Sequence, residues 1–203
     1  IISCNNQDKA IDRVYEFLKA QTADSSRSIM SRDYTKESIS LKLFLRTRAS
    51  IGLPSLVAGK EGFHLRIWED YINNKGSLII IDFSDSIWSA NGIKYSVYSS
   101  NYGWPDSLYG ELIPLGIPTS GWNKFINLLL DYNILTLRDY NEIPGYFTAT
   151  DMVGPSVEIA GHNYFRFYEL PEPKYQSENI KEAKDIIEIM RLVKKEFPVL
   201  ANN

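Results

Sequence analysis

An α+β fold is the class the sequence predicts: a mainly antiparallel sheet of about five to six strands, covered by N-terminal, central and C-terminal helices. Three observations point to it. Several short runs alternate apolar and polar residues, which is the period of a half-buried strand. Longer runs near the start, the middle and the end repeat apolar residues at three- and four-residue spacing, the period of an amphipathic helix. The strands fall into hairpin-linked groups and do not alternate strictly with helices, which argues against a parallel doubly wound sheet. A chain of 203 residues with 44% hydrophobic and 23% charged residues is long enough to bury a large core, and a single domain over residues 9–203 is expected.

In chain order, Asp8 is a candidate N-cap, and Ile11, Val14, Tyr15 and Leu18 predict a helix over 9–21. Residues 21–36 are polar and carry no period. In SISLKLFLR, Ile39, Leu41, Leu43 and Leu45 share one side, which predicts a strand over 38–46. Gly52, Pro54 and Gly59 break the next stretch. Phe63, Leu65 and Ile67 then alternate with His64, Arg66 and Trp68, predicting a strand over 63–71 whose less apolar face carries an imidazole, a guanidinium and an indole. After a turn at 73–76 the isoleucine-rich run LIIIDF predicts a strand within 77–90, with Ser84 and Asp85 as an interruption. Asn91-Gly92 is the strongest hairpin signal in the chain. A type I′ turn there would pair Ala90 with Ile93 and Trp88 with Tyr95, and open a strand over 92–99.

Residues 98–109, YSSNYGWPDSLY, read as an aromatic-rich loop and not as a strand. Thr119 or Ser120 can cap a helix over 119–131 that turns Trp122, Phe125, Ile126, Leu129 and Leu130 inward. The last helix, over 177–197, takes Ser177 as its cap and Ile180, Ala183, Ile187, Met190, Val193 and Phe197 as its stripe. Between them PSVEIAGHNYFRFYELPEP reads as a hairpin with strands at 156–160 and 164–169. A three-residue loop of Gly161, His162 and Asn163 would set Ile159 against Phe165, Val157 against Phe167 and Glu158 against Arg166. That register gives one core face and one polar face of Ser156, Glu158, Tyr164, Arg166 and Tyr168.

The formal charge of -3, with no block of like charges, gives no electrostatic reason to expect nucleic acid or an anionic membrane surface as partner. No apolar run approaches the length of a spanning helix. Cys4 is the only cysteine and follows Ile1, Ile2 and Ser3. Ile-Ile-Ser-Cys resembles the lipobox of bacterial lipoproteins, in which the cysteine becomes the lipidated first residue. The resemblance implies lipidation at Cys4, a polar tether over residues 1–8, membrane attachment through that anchor only, and a cell-envelope location. An incidental Cys4 would leave the chain cytoplasmic.

Groups able to do chemistry are sparse. Cys4 lies in the tether and no Gly-x-Ser-x-Gly elbow is present. His64 and His162 are the only histidines and neither has a partner at ligand spacing, so neither a metal nor another cofactor is expected. Phosphate-binding glycine patterns are absent. Asp82 with Asp85, or Asp139 with Glu142, are the carboxylate pairs that glycoside hydrolysis would need. The expected function is therefore a non-enzymatic binding or interaction domain of a surface or periplasmic lipoprotein, with a protein or a glycan as partner. Its contact candidates are Tyr98, Tyr102, Trp104 and Tyr109 in the aromatic stretch, and Glu158, Arg166 and Tyr168 on the hairpin face. The alternatives are a hydrolase of cell-envelope carbohydrate and a cytoplasmic partner that neutralises another protein.

Overall fold

The computed structural model describes residues 8–23, 49–72, 75–99, 105–148 and 153–200. Helix α1 (Asp8–Ala23) is followed by β1 (Phe63–Ile72), β2 (Lys75–Ser84), β3 (Ile87–Ser99), β4 (Pro105–Leu115), α2 (Trp122–Asp131), β5 (Ser156–Gly161), β6 (Tyr164–Glu169) and α3 (Lys181–Glu196). The fold is α+β. All six strands join one antiparallel sheet in the order β4-β3-β2-β1-β5-β6. The predicted strand over 38–46 lies outside the described residues.

Both faces of the sheet are covered in its centre, for different reasons. On the first face Phe63, Leu65, Ile67, Ile79, Ile81, Phe83, Val157 and Ile159 meet the apolar stripes of the helices in one large core. Trp122, Phe125, Ile126 and Leu129 of α2 and Ile186, Ile189 and Val193 of α3 supply the opposing surface. Arg13 of α1 bonds Asn127 Oδ1 at 2.6 Å and Asp131 Oδ1 at 3.0 Å, tying α1 across the end of α2. On the second face residues 49–62 run across the strands as a strap. Ser50 sits at β4, Ile51 and Leu53 pack on a cluster that includes Trp68, Leu78, Ile93 and Tyr95, and Leu56 joins Ala160, Phe165 and Phe167 over β5 and β6.

This double coverage changes several expectations drawn from alternation. The hairpin of β5 and β6 pairs Gly161 with Tyr164, Ile159 with Arg166, Glu158 with Phe167 and Val157 with Tyr168, so its loop is His162-Asn163 and the register is one residue away from the expected one. Every residue of β5 is buried, so the rule that an apolar residue marks the only core face loses its force there. Glu158 and Arg166 consequently lie on opposite faces.

The reversal expected at Asn91-Gly92 is made instead by Asp85-Ser86, both with positive φ (50° and 62°), between Ser84 and Ile87. Asn91 and Gly92 lie inside β3, where Ala90 pairs with Ile81 and Leu115. Gly92 serves close approach and not a turn: a Cβ there would come within 2.7 Å of the Leu200 side chain. Residues 105–109, expected in a loop, belong to β4. Pro105 and Pro114 near its ends conceal it from a strand reading, and an edge strand is where proline is tolerated.

The helix starts differ too. Gly121, φ 83°, precedes α2 with no side-chain cap, while the Thr119 and Ser120 amides bond Glu196. Ile180 precedes α3 without a side-chain cap, and Ser177 Oγ donates to the Lys174 carbonyl at the end of the short helix Pro173–Gln176.

Candidate functional site

The polar residues of the second face converge beneath the strap. Arg66 and Glu158 are direct partners on β1 and β5, and both are buried, Glu158 to 2% exposure. Glu158 Oε1 accepts from Trp68 Nε1 at 2.8 Å, and Oε2 accepts from Arg66 Nη1 at 3.3 Å. Arg66 Nη2 donates to the Pro54 carbonyl of the strap at 2.8 Å. The carboxylate is neutralised by a guanidinium that itself finds a carbonyl, which is the condition for a buried ion pair to be tolerated. Its chemical role is to fix the strap to the sheet. The sequence shows His64, Arg66 and Trp68 on one face; their partner Glu158 follows only from strand order.

Arg166 and Tyr168 belong to the first face, on the edge strand β6. The Arg166 guanidinium donates to the Leu135 carbonyl at 2.5 Å and to the Leu137 carbonyl, and lies 5.4 Å from the centre of the Tyr168 ring. Tyr168 is fully buried and its hydroxyl donates to the Ile134 carbonyl at 2.8 Å. Burial pushes its phenol far above the ordinary tyrosine value, against the opposing pull of Arg166. Burial also raises Tyr164 in the same strand, with Arg166 again opposing. These groups join residues 134–138 to the sheet; Tyr164 and Tyr168 are buried and Arg166 is half-buried.

The two described aromatic residues of the 98–109 stretch lie at the other edge. Tyr98 of β3 is 59% exposed and Tyr109 of β4 is 67% exposed. Tyr98 pairs with Ser107 and Tyr109 with Ser96, so the two rings are diagonal neighbours on one face of the hairpin. That face is the helix-covered one, continued past the helices: the row before it carries Ser77, Lys94 and Glu111. Leu112, on the opposite face of β4, is 56% exposed. Tyr102, Trp104 and Cys4 lie outside the described residues. The five contact and anchor candidates outside β5 and β6, Cys4, Tyr98, Tyr102, Trp104 and Tyr109, thus reduce to Tyr98 and Tyr109 as residues the structure brings together.

The Asp139–Glu142 pair is structural. Asp139 Oδ1 accepts from the Asn141 amide at 3.1 Å and Oδ2 from the Glu169 amide at 3.0 Å, while Glu142 returns to the Asp139 amide at 3.3 Å, a reciprocal cap on a single helical turn. Asp82 contacts His64, and Asp85 stands in the β2–β3 turn. Among the described residues no group of three or more His, Cys, Asp or Glu could hold a metal ion, and no helix is long and apolar enough to cross a membrane. No family model, curated protein or solved structure matches the chain.

Proposed function

We propose that the chain is a non-enzymatic binding domain of a lipid-anchored cell-envelope protein, and that it meets its protein or glycan partner through the outer face of the β3–β4 hairpin. The observation that carries this reading is the pair of adjacent, mostly exposed rings of Tyr98 and Tyr109 on rigid strands. Aromatic rings held in place by a sheet bury large area at little entropic cost, which suits both sugar faces and protein hot spots. The anchor rests on the lipobox-like Ile1-Ile2-Ser3-Cys4 alone. The paired variant Tyr98→Ala/Tyr109→Ala tests the surface: binding to the glycan or envelope component selected by the wild-type domain on an array should fall at least tenfold, with the thermal midpoint unchanged. Unaltered binding would move the contact elsewhere. Metabolic labelling with a fatty acid analogue, with and without Cys4→Ala, tests the anchor independently, and labelling that survives the substitution contradicts it.

A further inference from the structure

The two histidines of the chain both reach one residue, Glu61, at the end of the strap, and they do so in different chemical settings. His64 is 4% exposed. Its Nδ1 faces Asp82 Oδ1 at 2.5 Å and its Nε2 faces the Glu61 carbonyl at 2.6 Å. Both neighbours are acceptors. With Asp82 as a carboxylate, the two contacts are hydrogen bonds together only when both ring nitrogens carry hydrogen, that is, in the imidazolium form. His162 Nδ1 meets Glu61 Oε1, while its Nε2 lies 3.0 Å from Asn163 Nδ2, a donor. The neutral ring satisfies both of those contacts, so His162 makes no demand for a second proton.

We infer that residues 49–62 are a proton-dependent strap, latched at its C-terminal end by the His64 imidazolium between Asp82 and the Glu61 carbonyl. When the ring loses a proton to solvent, its remaining hydrogen stays on Nδ1 toward the charged Asp82, where the bond is charge-assisted. The bare Nε2 then opposes the Glu61 carbonyl lone pair and that contact opens. The charged groups around His64 are Asp82 on β2, Lys60 and Glu61 on the strap, and Arg66 with Glu158 one step along the same face; Ala160, its direct partner on β5, is apolar. Next to Glu61 the strap is held by the Lys60 amide on the Gly161 carbonyl at 3.0 Å, and it bends at Gly59, where a Cβ would lie 2.9 Å from Gly161 O and Asn163 N. Release of this end uncovers Leu56, Phe165 and Phe167, and behind them the Arg66–Glu158 pair. The device therefore governs access to the second face, away from Tyr98 and Tyr109.

Ring nitrogen NMR of the whole chain, combined with exchange of the Lys60 amide hydrogen corrected for intrinsic rates, tests it between pH 5 and 8.5. The expected result is at least a tenfold loss of protection at this amide that follows the conversion of His64 from imidazolium to neutral ring, and a pH-independent protection in His64→Gln. Protection that stays level while the wild-type His64 ring changes state would overturn the inference, even if the variant does not fold. So would a pH dependence that persists in His64→Gln, since it would then belong to His162 or a carboxylate.

Discussion

The two outer edges of the sheet are finished in opposite ways. At β6 the chain folds residues 134–142 back against the strand: Asp139 takes the Glu169 amide, and the side chains of Arg166 and Tyr168 take the Leu135, Leu137 and Ile134 carbonyls. At β4 the only described group on the outer edge is the Ser50 hydroxyl, which accepts from the Leu108 amide at 2.7 Å and donates to the Leu108 carbonyl at 3.1 Å. Because both groups of Leu108 point away from β3, those of Gly110 and Leu112 do as well, and Pro114 has no N–H to offer. An edge that is sealed by charged and phenolic side chains contributes stability. At β4, among the described residues, no hydrogen bond reaches the outward groups of Gly110 and Leu112, and Tyr109 and Leu112 are exposed, which are the features of an edge able to take a partner.

Substitutions at the two edges should therefore differ in size and in kind. Arg166→Met removes two charge-assisted bonds to carbonyls of residues 134–138 and is expected to lower unfolding free energy by about 3 kcal/mol in urea titrations. A loss as small as that at β4 would erase the contrast. Tyr168→Phe should cost about 1 to 2 kcal/mol near neutral pH, for a buried hydroxyl that leaves the Ile134 carbonyl unpaired. The same variant sharpens the comparison at high pH. Burial holds the Tyr168 phenol neutral in the folded chain, whereas an unfolded tyrosine ionises near about pH 10. Stability is complete below that pH and falls above it by up to about 1.4 kcal/mol per pH unit per such group, so Tyr168→Phe should show a shallower alkaline decline. Ser50→Ala should cost about 1 kcal/mol, because a neutral hydroxyl holds the Leu108 amide and carbonyl. Tyr98→Ala/Tyr109→Ala, at exposed positions, should stay within about 0.5 kcal/mol per residue.

Much of the architecture could be read from periodicity, and the misses have separate causes. The strand β1 and the three long helices carry periods, as Phe63, Leu65 and Ile67 show by facing one core, and β2 carries an isoleucine-rich run buried on both faces; in α3 the buried row is Ile186, Ile189, Leu192 and Val193, while the expected Ile187 and Met190 are half-buried. Where both faces are covered, alternation stops discriminating: β5 is buried throughout, so neither the side of Glu158 nor the hairpin register was decidable from its pattern. Turn chemistry misled at Asn91-Gly92 because a glycine needed for the approach of Leu200 looks the same, in sequence, as a glycine needed for positive φ. The prolines of β4 hid an edge strand. Of the candidate contacts, the exposed rings of Tyr98 and Tyr109 were visible as an aromatic cluster, while the burial of Glu158 and Tyr168 depended on which residues cross above them, and that is a property of topology.

The contrast between a sealed and an open edge is tested most directly by residue-resolved amide hydrogen exchange on the whole chain near neutral pH. The Glu169 amide, held by Asp139, should exchange only through large-scale unfolding, whereas the Gly110 amide should exchange by local fluctuation, at least a hundredfold faster after correction for intrinsic rates. Equal protection at the two positions would show that the β4 edge is already occupied and would contradict its use as a contact surface.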